Sequence, residues 1–322
     1  MQVDSSYVIG NRKIAIIGAG YVGSSIAYAL ALQNVAREIV IINRTKDKLI
    51  GEVKDIRHGI SGLGTADVYA GDYCDCADCD LIIISAGRNR KPGETRLDLM
   101  RDNVLILQDI AEKIKQYYTR GIILVISNPV DVLTQKMTEW MGLPEGRVFG
   151  SGNLLDSSRL VRTIADYLGI STGVINAYMV GEHGDAQVPI WSHATVAGIP
   201  ISEYCDSLNI CWDERIRGEL AEKTRQMGAE IIASKGRTHF GIATCVCYLA
   251  DAIVNQRPTI VSVTSVLPEE FGCGRIALSV PSVVGPAGIQ QHIRETWSFD
   301  ENRAFRLAAE KVRGTLNQIP ED

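Results

Sequence analysis

Short apolar runs alternate with helical patterns through the first half of the chain. Four mostly aliphatic runs have the length of strands, at residues 13–17, 38–42, 81–84 and 122–126. Helical patterns lie between them at residues 24–32, which are Ala-rich, and at residues 104–118. Strands that lack polar alternation are buried on both faces, and strands that alternate with helices form parallel sheets. The pattern therefore predicts an α/β fold built on a doubly wound parallel sheet.

The pattern changes past residue 150. Helical periodicity returns at residues 156–168, 213–234 and 300–316. The alternation typical of half-buried strands occurs at residues 174–180 and 276–284. We therefore predict a sheet domain at residues 1–150 and an α+β domain at residues 151–322. The small residues Gly150-Ser151-Gly152 are typical of such a junction.

The composition is ordinary for a globular protein and excludes several classes. Hydrophobic residues make up 46% and charged residues 22% of the 322 positions. The formal net charge is −5, so we expect no basic surface for nucleic acid or an anionic membrane. No apolar run reaches transmembrane length, and the polar N-terminus lacks a signal-peptide pattern. These features predict a cytoplasmic protein without nucleic-acid or membrane partners.

The eight cysteines indicate a reducing compartment, because a chain of this length needs no disulfide framework. Cys74, Cys76 and Cys79 have a metal-like spacing. A structural zinc site uses four ligands, and no fourth Cys or His lies close by in the sequence. We therefore predict reduced thiols on a turn that leads into a strand, and no metal site.

A glycine-rich turn directly follows the first strand. Residues 18–23 read Gly-Ala-Gly-Tyr-Val-Gly and open the first helix, and this context gives the motif its meaning. Gly18 permits the tight turn, Gly20 lets the backbone approach a pyrophosphate, and Gly23 lets helix and strand pack closely. The motif predicts a dinucleotide site, with a plain strand-to-helix turn as the alternative.

The end of the second strand bears on which dinucleotide binds. An NAD site favours Asp or Glu there, because a carboxylate accepts hydrogen bonds from the adenine-side ribose. This chain has Asn43-Arg44-Thr45 instead. Asn43 can bind a hydroxyl but does not repel a phosphate, and Arg44 offers a partner for a 2′-phosphate. From these residues alone, NAD and NADP both stay open.

Two short motifs in the second half carry the chemistry. Residues 155–159, Leu-Asp-Ser-Ser-Arg, set Asp156 and Arg159 on one face of a helix. Residues 181–185, Gly-Glu-His-Gly-Asp, place His183 where little side-chain bulk hinders a ligand. Together they supply an anion anchor, a proton carrier and a carboxylate that orients it, which suits a small keto or hydroxy acid. Taken singly, a surface ion pair and an ordinary histidine are the alternatives.

Five motifs in a fixed order resemble the L-lactate/malate dehydrogenase family. They are residues 18–23, 89–96 (Asn-Arg-Lys-Pro-Gly-Glu-Thr-Arg), 127–129 (Ser-Asn-Pro), 155–159 and 181–185. Residues 190–194 and 236–241 resemble the lactate branch more closely. The resemblance implies a Rossmann domain followed by a catalytic domain, hydride exchange with C2 of a 2-keto acid, and a homo-oligomer, either a dimer or a tetramer. It also favours NAD over NADP.

The resemblance implies a catalytic role for each matching position. His183 would exchange a proton with the substrate oxygen, and Asp156 would hold its imidazole. Arg159 would clamp the substrate carboxylate in a bidentate pair. Arg96 would stabilise the developing alkoxide. Arg96 lies in residues 88–100, which are predicted to form a mobile loop that closes over the substrate.

The resemblance also implies binding roles. Asn128 would hold the nicotinamide-side ribose or the substrate, and Thr238 would line the substrate pocket. The cofactor is expected to contact Gly18, Gly20, Tyr21, Val22, Gly23, Asn43, Arg44, Ala86, Gly87 and Asn128.

Arg90 occupies the position that distinguishes substrates in this family. Gln there resembles lactate dehydrogenases, whereas Arg resembles malate dehydrogenases and suits the second carboxylate of oxaloacetate. An unpaired guanidinium buried against the methyl group of pyruvate would be costly. However, the flanking motifs and Thr238 resemble the lactate branch, and Arg90 can turn to solvent or pair with Glu94. We therefore favour L-lactate dehydrogenase, with malate dehydrogenase as the alternative.

Some bacterial lactate dehydrogenases are activated by fructose 1,6-bisphosphate through a basic pair at a subunit interface. The matching residues are Val161 and Asn176, which carry no positive charge, and Arg162 lies one residue away. We therefore expect weak or absent activation by this sugar phosphate.

Two other classes stay open at this stage. A catalytically idle dinucleotide-binding protein would bind the cofactor without turnover, and the set of His183, Asp156, Arg159 and Arg96 argues against it. An NAD-dependent glycosidase has a related first domain but requires a metal, so its activity would be sensitive to chelators.

Overall fold

The structure, a computed structural model, describes residues 12–88 and 93–319, without the side chain of Arg96. The strands in this part of the chain are β1 (Lys13–Ile17), β2 (Glu38–Ile42), β3 (Asp67–Ala70), β4 (Leu81–Ile84), β5 (Ile122–Val125), β6 (Val148–Gly150), β7 (Ile175–Asn176), β8 (Met179–Gly181), β9 (Gln187–Pro189), β10 (Thr195–Val196), β11 (Ile199–Pro200), β12 (Thr259–Val266), β13 (Ala277–Gly285) and β14 (Gly288–His292). The α-helices are α1 (Tyr21–Leu32), α2 (Lys46–Ile60), α3 (Arg96–Lys115), α4 (Val130–Met141), α5 (Leu154–Leu168), α6 (Ile201–Ser207), α7 (Glu214–Lys235), α8 (Phe240–Val254) and α9 (Phe299–Leu316).

The first six strands form a parallel sheet in the order β3-β2-β1-β4-β5-β6. Ile14 in β1 pairs with Ile39 in β2 on one side and with Leu81 in β4 on the other. This is the strand order of the Rossmann fold, so the predicted doubly wound sheet is confirmed. The order reverses between β1 and β4, which leaves a crevice at the carboxyl ends of these strands.

Alternate residues of the parallel strands face opposite helical layers. Ile14 and Ile16 belong to an apolar core shared with α1, α2 and α8, whereas Ala15 and Ile17 belong to a core shared with α3 and α4. All four side chains are at most 2% exposed. Burial on both faces is the reason that these strands show no polar alternation.

The same sheet continues into the second half of the chain. β6 pairs with β12 in the antiparallel sense at Gly150 and Thr264, and the order continues as β12-β13-β8-β9, with β14 beside β13. Helix α8 packs beside α1 on the first-half sheet. The second half is an α+β unit, as predicted, but its longest strands extend the first sheet. The domain boundary at residue 150 stays a prediction.

Two predicted elements differ from the structure. The single strand at residues 174–180 is wrong, because β7 and β8 are separate strands in different sheets and the chain crosses between them. The helix at residues 104–118 is only the latter part of α3, which begins at Arg96 behind a capping box of Thr95 and Asp98. The polar first turns of α3 hid its start. The following elements have no counterpart among the predicted ones: α2, α4, α6, α8, β3, β6, β9, β10, β11, β12 and β14.

The three closely spaced cysteines lie at the edge of the sheet core. Cys76 and Cys79 are buried and Cys74 is exposed. Among the described residues, no group of three His, Cys, Asp or Glu side chains is placed to hold a metal ion.

None of the helices in this part of the chain is long and apolar enough to cross a membrane.

The glycine-rich turn has no room for a side chain at two of its glycines, Gly18 and Gly23. Gly18 has a φ of +114°, which favours glycine. A Cβ on Gly23 would lie 1.9 Å from the carbonyl oxygen of Gly18. By contrast, a Cβ on Gly51, which is exposed in α2, would meet nothing within 4 Å.

We predict opposite effects for alanine at these two helical glycines. Gly23→Ala should lower the free energy of unfolding by about 1–3 kcal/mol, because the methyl group overpacks the turn. Gly51→Ala should raise it by up to about 1 kcal/mol, because alanine has the higher helix propensity. Urea denaturation of both variants and the wild type measures the difference. Equal stabilities for the two variants would contradict the close packing of α1 on β1.

Candidate active site

A cavity of about 360 Å³ opens at the carboxyl ends of the central parallel strands. Six of the residues predicted to bind or react line it: Val22, Gly87, Asn128, Arg159, His183 and Thr238. They come from both halves of the chain. The cavity lies at the crevice of the sheet, where open α/β folds bind their ligands.

Helix α5 carries the carboxylate and the guanidinium of the first catalytic motif. Leu160 and Ile164, on the same face of the helix as Asp156, pack in the apolar core of the second half. Asp156 is therefore buried, whereas Arg159 lines the cavity. The Nη1 group of Arg159 donates to Oδ1 of Asp156 over 2.9 Å. The Asp156 side chain is 3% exposed and that of Arg159 is 15% exposed. This ion pair is therefore not on the helix surface, and the remaining N–H groups of Arg159 can serve an anion in the cavity.

His183 follows β8 and approaches Asp156 from the second-half sheet. Its Nδ1 lies 2.5 Å from Oδ2 of Asp156. Its backbone N–H donates to Oδ2 of Asp131 over 2.7 Å. Because Nδ1–H is given to a carboxylate, Nε2 is the ring nitrogen that can exchange a proton with a bound molecule.

The charges around His183 favour the imidazolium form. Burial lowers the pKa of His183, but the charge and hydrogen bond of Asp156, together with the charge of Asp131, outweigh it and raise the pKa to about 9. Burial likewise raises the pKa of Asp156, but His183 and Arg159 outweigh it and hold this pKa below its usual range. At neutral pH the site thus holds an ionised carboxylate between two cations, and His183 has a proton to donate.

Asp131 is a site residue that the sequence motifs did not predict. It lies in the first turn of α4 and is 3% exposed. Besides His183, it binds the hydroxyl of Thr264, which donates to Oδ1 over 2.5 Å. Burial is the main cause that raises the pKa of Asp131 to about 6, against the opposing effects of Thr264 and His183. Its only signal in the sequence is its place just behind the Ser-Asn-Pro motif at residues 127–129.

The turn at residues 18–23 has the shape that a pyrophosphate requires. Gly20 begins α1 without a capping side chain, and a Cβ on Gly20 would meet nothing within 4 Å. The first N–H groups of α1 are therefore open to an anion, which the helix dipole favours. Asn43 accepts a hydrogen bond from the N–H of Ala19 over 3.2 Å, and Arg44 is exposed. These residues fit a dinucleotide.

Tyr21 connects this turn with the second half of the chain. The residue is 57% exposed, and its ring stacks on His239 with a centroid distance of 5.8 Å. The guanidinium carbon of Arg237 lies 3.8 Å from the same ring centroid. Arg237 and His239 flank Thr238, so the loop that carries Thr238 is held against the dinucleotide turn. The sequence motifs did not predict this contact, although residues 236–241 carry part of the resemblance to the lactate branch.

The ends of β4 and β5 form the wall of the cavity between the turn and His183. The hydroxyl of Ser127 donates to the carbonyl of Ala86. The side chain of Asn103 donates to the carbonyl of Asn128 over 2.8 Å and accepts from the N–H of Arg88 over 2.9 Å. Asn103, which the motifs also did not predict, thus holds the segments that follow β4 and β5 at a fixed distance from each other.

Two predicted site residues have no described side chain. Arg90 lies in residues 89–92, outside the described part of the chain. Arg96 begins α3, and only its backbone is described. Residues 96–100 of the predicted mobile loop are the start of α3 instead, and closure over the substrate stays a prediction.

The dinucleotide turn, the anion anchor and the paired histidine in one cavity define the class: an NAD-dependent dehydrogenase of small 2-hydroxy acids. The chain belongs to the lactate/malate dehydrogenase family. The family's NAD binding domain matches residues 12–150, and its alpha/beta C-terminal domain matches residues 154–321. The predicted resemblance and the prediction of NAD are thereby confirmed.

Named relatives cover nearly the whole chain. The L-lactate dehydrogenase of Thermoanaerobacter sp. (strain X514) is 40% identical over 308 residues, which are 96% of this chain and 99% of the relative. The L-lactate dehydrogenase of Acetivibrio thermocellus is 37% identical over 308 residues, which are 96% of each chain.

Solved structures share the fold in detail. The ligand-bound minor L-lactate dehydrogenase from Enterococcus mundtii has a TM-score of 0.93 at 36% identity and covers 97% of this chain and 99% of its own. A lactate dehydrogenase from a Medee basin deep-sea metagenome library, MGS-M5, has a TM-score of 0.92 at 34% identity, with coverage of 96% and 98%.

We predict that the pKa of His183 lies well above that of an ordinary histidine. NMR of histidine-labelled protein should place its pKa near 9, whereas His292, whose pKa burial lowers below its usual value, serves as an internal control. Asp156→Asn should lower the pKa of His183 markedly. Because the folded-state pKa of His183 exceeds the ordinary histidine value of 6.5, its contribution to stability is complete below pH 6.5 and is lost as the pH rises through 9. A His183 pKa at or below that of free histidine would contradict the arrangement.

Proposed function

We propose that this protein is an NAD-dependent L-lactate dehydrogenase that interconverts pyruvate and L-lactate. The observation that carries the proposal is the contact of one buried carboxylate, Asp156, with both Arg159 and His183 at the wall of the cavity. A proton donor and a carboxylate anchor at a fixed separation suit a 2-keto acid, whose carboxylate and C2 oxygen are adjacent. The L-lactate dehydrogenases among the relatives support the choice of pyruvate.

The cofactor would lie along the strand ends. Its pyrophosphate would accept hydrogen bonds from the first N–H groups of α1, which follow Gly20, and its adenine-side ribose would hydrogen-bond with Asn43. Ala86, Gly87 and Asn128 would line the path toward His183. When bound, NADH supplies the hydride that converts the C2 carbonyl to an alcohol, and NAD⁺ accepts it in the reverse direction.

His183 supplies and removes the proton. In pyruvate reduction its imidazolium would give the Nε2 proton to the C2 oxygen, and in lactate oxidation the neutral ring would take that proton back. Asp156 keeps the ring oriented and stabilises its charged form. The raised pKa of His183 keeps the ring protonated at neutral pH, so the residue is prepared for the reductive direction.

Arg159 would hold the substrate carboxylate, since a guanidinium binds a carboxylate through two parallel hydrogen bonds. This contact fixes C2 near His183 and reduces the entropic cost of reaction. Arg96 would stabilise the negative charge that develops on the C2 oxygen, and Thr238 would form the wall at the C3 side. These roles of Arg96 and Thr238 rest on the family resemblance.

Several finer properties belong to the same proposal. The malate alternative depends on Arg90, and the relatives described above favour lactate. We infer a homo-oligomer, a dimer or a tetramer, from the family resemblance. A cytoplasmic location is inferred from the cysteine usage, which indicates a reducing compartment.

We predict that the wild type prefers pyruvate with NADH. A steady-state matrix of pyruvate, oxaloacetate and a bulkier 2-keto acid, each with NADH and NADPH, should give the highest kcat/KM for pyruvate and NADH. Arg90→Gln should leave pyruvate turnover nearly unchanged and abolish any oxaloacetate turnover, because the second carboxylate loses its partner. A wild-type preference for oxaloacetate would make the malate alternative correct.

We also predict that fructose 1,6-bisphosphate has little or no effect on the KM for pyruvate. Val161 and Asn176 line one cleft of about 870 Å³, and neither carries a charge. Arg162 lines the same cleft, but it forms an ion pair with Asp166 at 2.6 Å. Initial rates with and without the sugar phosphate test this, and a large drop in KM would show that another cation takes part.

A further inference from the structure

A chain of buried hydrogen bonds runs beneath the catalytic histidine. The backbone N–H of Asn153 donates to the hydroxyl of Ser279 over 3.0 Å, and the hydroxyls of Ser279 and Thr264 lie 2.7 Å apart. Thr264 then donates to Oδ1 of Asp131 over 2.5 Å, and Oδ2 of Asp131 accepts from the N–H of His183. Each side chain in it is at most 3% exposed, so water does not replace these bonds.

The hydrogen bond from Thr264 to Asp131 sets the order of protons in these hydrogen bonds. Thr264 gives its single proton to Asp131, so the proton between the two hydroxyls comes from Ser279, whose oxygen also accepts from Asn153. Both oxygens of Asp131 then accept. A proton on Asp131 would leave a buried donor without an acceptor, which is costly. The intact chain therefore requires the ionised carboxylate, and the first turn of α4 favours that charge.

This chain of hydrogen bonds also joins the two elements of the fold that carry the catalytic groups. Asn153 is the N-terminal cap of α5, which bears Asp156 and Arg159. His183 belongs to the loop behind β8. Asp131 and the two hydroxyls thus link the start of α5 to the backbone of His183 through β12 and β13.

We propose that Asp131 is a second carboxylate for His183: ionised and buried, it positions the backbone of His183 and adds a negative charge that favours the imidazolium. Asp131 is buried and is not among the residues that line the cavity, so it is a positioning residue. The proposal rests on the proposed function, because His183 is there the proton donor.

The charged groups that face Asp131 define the pH range of the intact site. Its own helix α4 contributes the dipole, the loop behind β8 contributes His183 and Glu182, and β12 contributes the neutral Thr264. Glu182 in turn pairs with Lys311 of α9 at 2.7 Å. The pKa of Asp131 is about 6 and that of His183 is about 9, so both groups carry their required charges between these limits. Pyruvate reduction should therefore decline below about pH 6 and above about pH 9.

The decisive variant is Asp131→Asn, which keeps the size of the side chain and removes its charge. We expect the basic limb of the pH profile of kcat/KM for pyruvate to move down by about one pH unit, because a nearby negative charge is lost. The kcat should fall roughly tenfold to a hundredfold, because one acceptor becomes a donor and the ring is misplaced. The KM for NADH should stay within about twofold. A basic limb that stays at the wild-type pH would overturn the proposal.

A second variant, Thr264→Val, separates the two parts of the proposal. It keeps the charge of Asp131 but removes the hydrogen bond that lowers its pKa. The acid limb should therefore move to higher pH, while the basic limb stays in place. Thr264→Ser, which restores the hydroxyl, should return the acid limb to its wild-type position. An unchanged acid limb in Thr264→Val would show that the buried chain does not control Asp131.

Asp80 provides the matched control for replacing a buried aspartate. It is 2% exposed, pairs with Arg120 at 3.0 Å and directly precedes β4, at the amino ends of the parallel strands and so opposite the cavity. Asp80→Asn should change stability without moving either limb of the pH profile. Limbs that move as much as in Asp131→Asn would reduce the effect to general destabilisation and refute a specific role.

NMR titration of His183 in Asp131→Asn keeps this test apart from that of the proposed function. The pKa of His183 should fall relative to the wild type whether or not pyruvate is the substrate. If the wild type fails to reduce pyruvate but the pKa of His183 still falls, the proposed function is wrong and the role of Asp131 holds. If pyruvate is reduced and the pKa of His183 does not change, only the inference on Asp131 fails.

Discussion

Two cations meet on one buried carboxylate, and the site depends on that contact. Oδ1 of Asp156 accepts from Arg159, and Oδ2 lies 2.5 Å from the ring of His183. If either cation is removed, a buried charge loses part of its compensation, which is strongly destabilising. The three residues therefore act as one unit. Substrate recognition and proton transfer are tied together by the geometry of one side chain.

That unit requires two elements to stay in register, and the extended sheet keeps them there. Asp156 and Arg159 belong to α5, whereas His183 follows β8. β8 pairs with β13, and β13 pairs along its length with β12. β12 in turn joins β6, the last strand of the parallel sheet. The hydrogen-bonded ladder thus links the catalytic loop to the strand ends that surround the cavity, and side-chain rotation alone cannot separate them.

Much of the fold follows from local pattern, and the exceptions have physical causes. Strands made of uninterrupted aliphatic residues must be buried on both faces, and this property allowed the parallel sheet to be predicted. The sequence pattern did not predict the start of α3, because Thr95 and Asp98 form its cap in a polar stretch. Such a stretch has too few apolar residues to show helical periodicity. The stretch at residues 174–180 alternates like one strand, but its two ends join different sheets. The pattern of apolar residues predicts which residues are buried, but it does not predict in which sheet a strand pairs.

The sequence by itself determined the chemistry that is available: a glycine turn for a dinucleotide, Arg159 for a carboxylate, and His183 for a proton, each recognisable from residue type and local spacing. Only the tertiary structure decided how these groups act together. Asp131, Asn103 and Arg237 lie outside the spacing of any catalytic motif, and they matter through partners that are distant in sequence. Burial and proximity set the charge of His183 and Asp131, because desolvation and Coulomb energies depend on distances that no linear pattern contains.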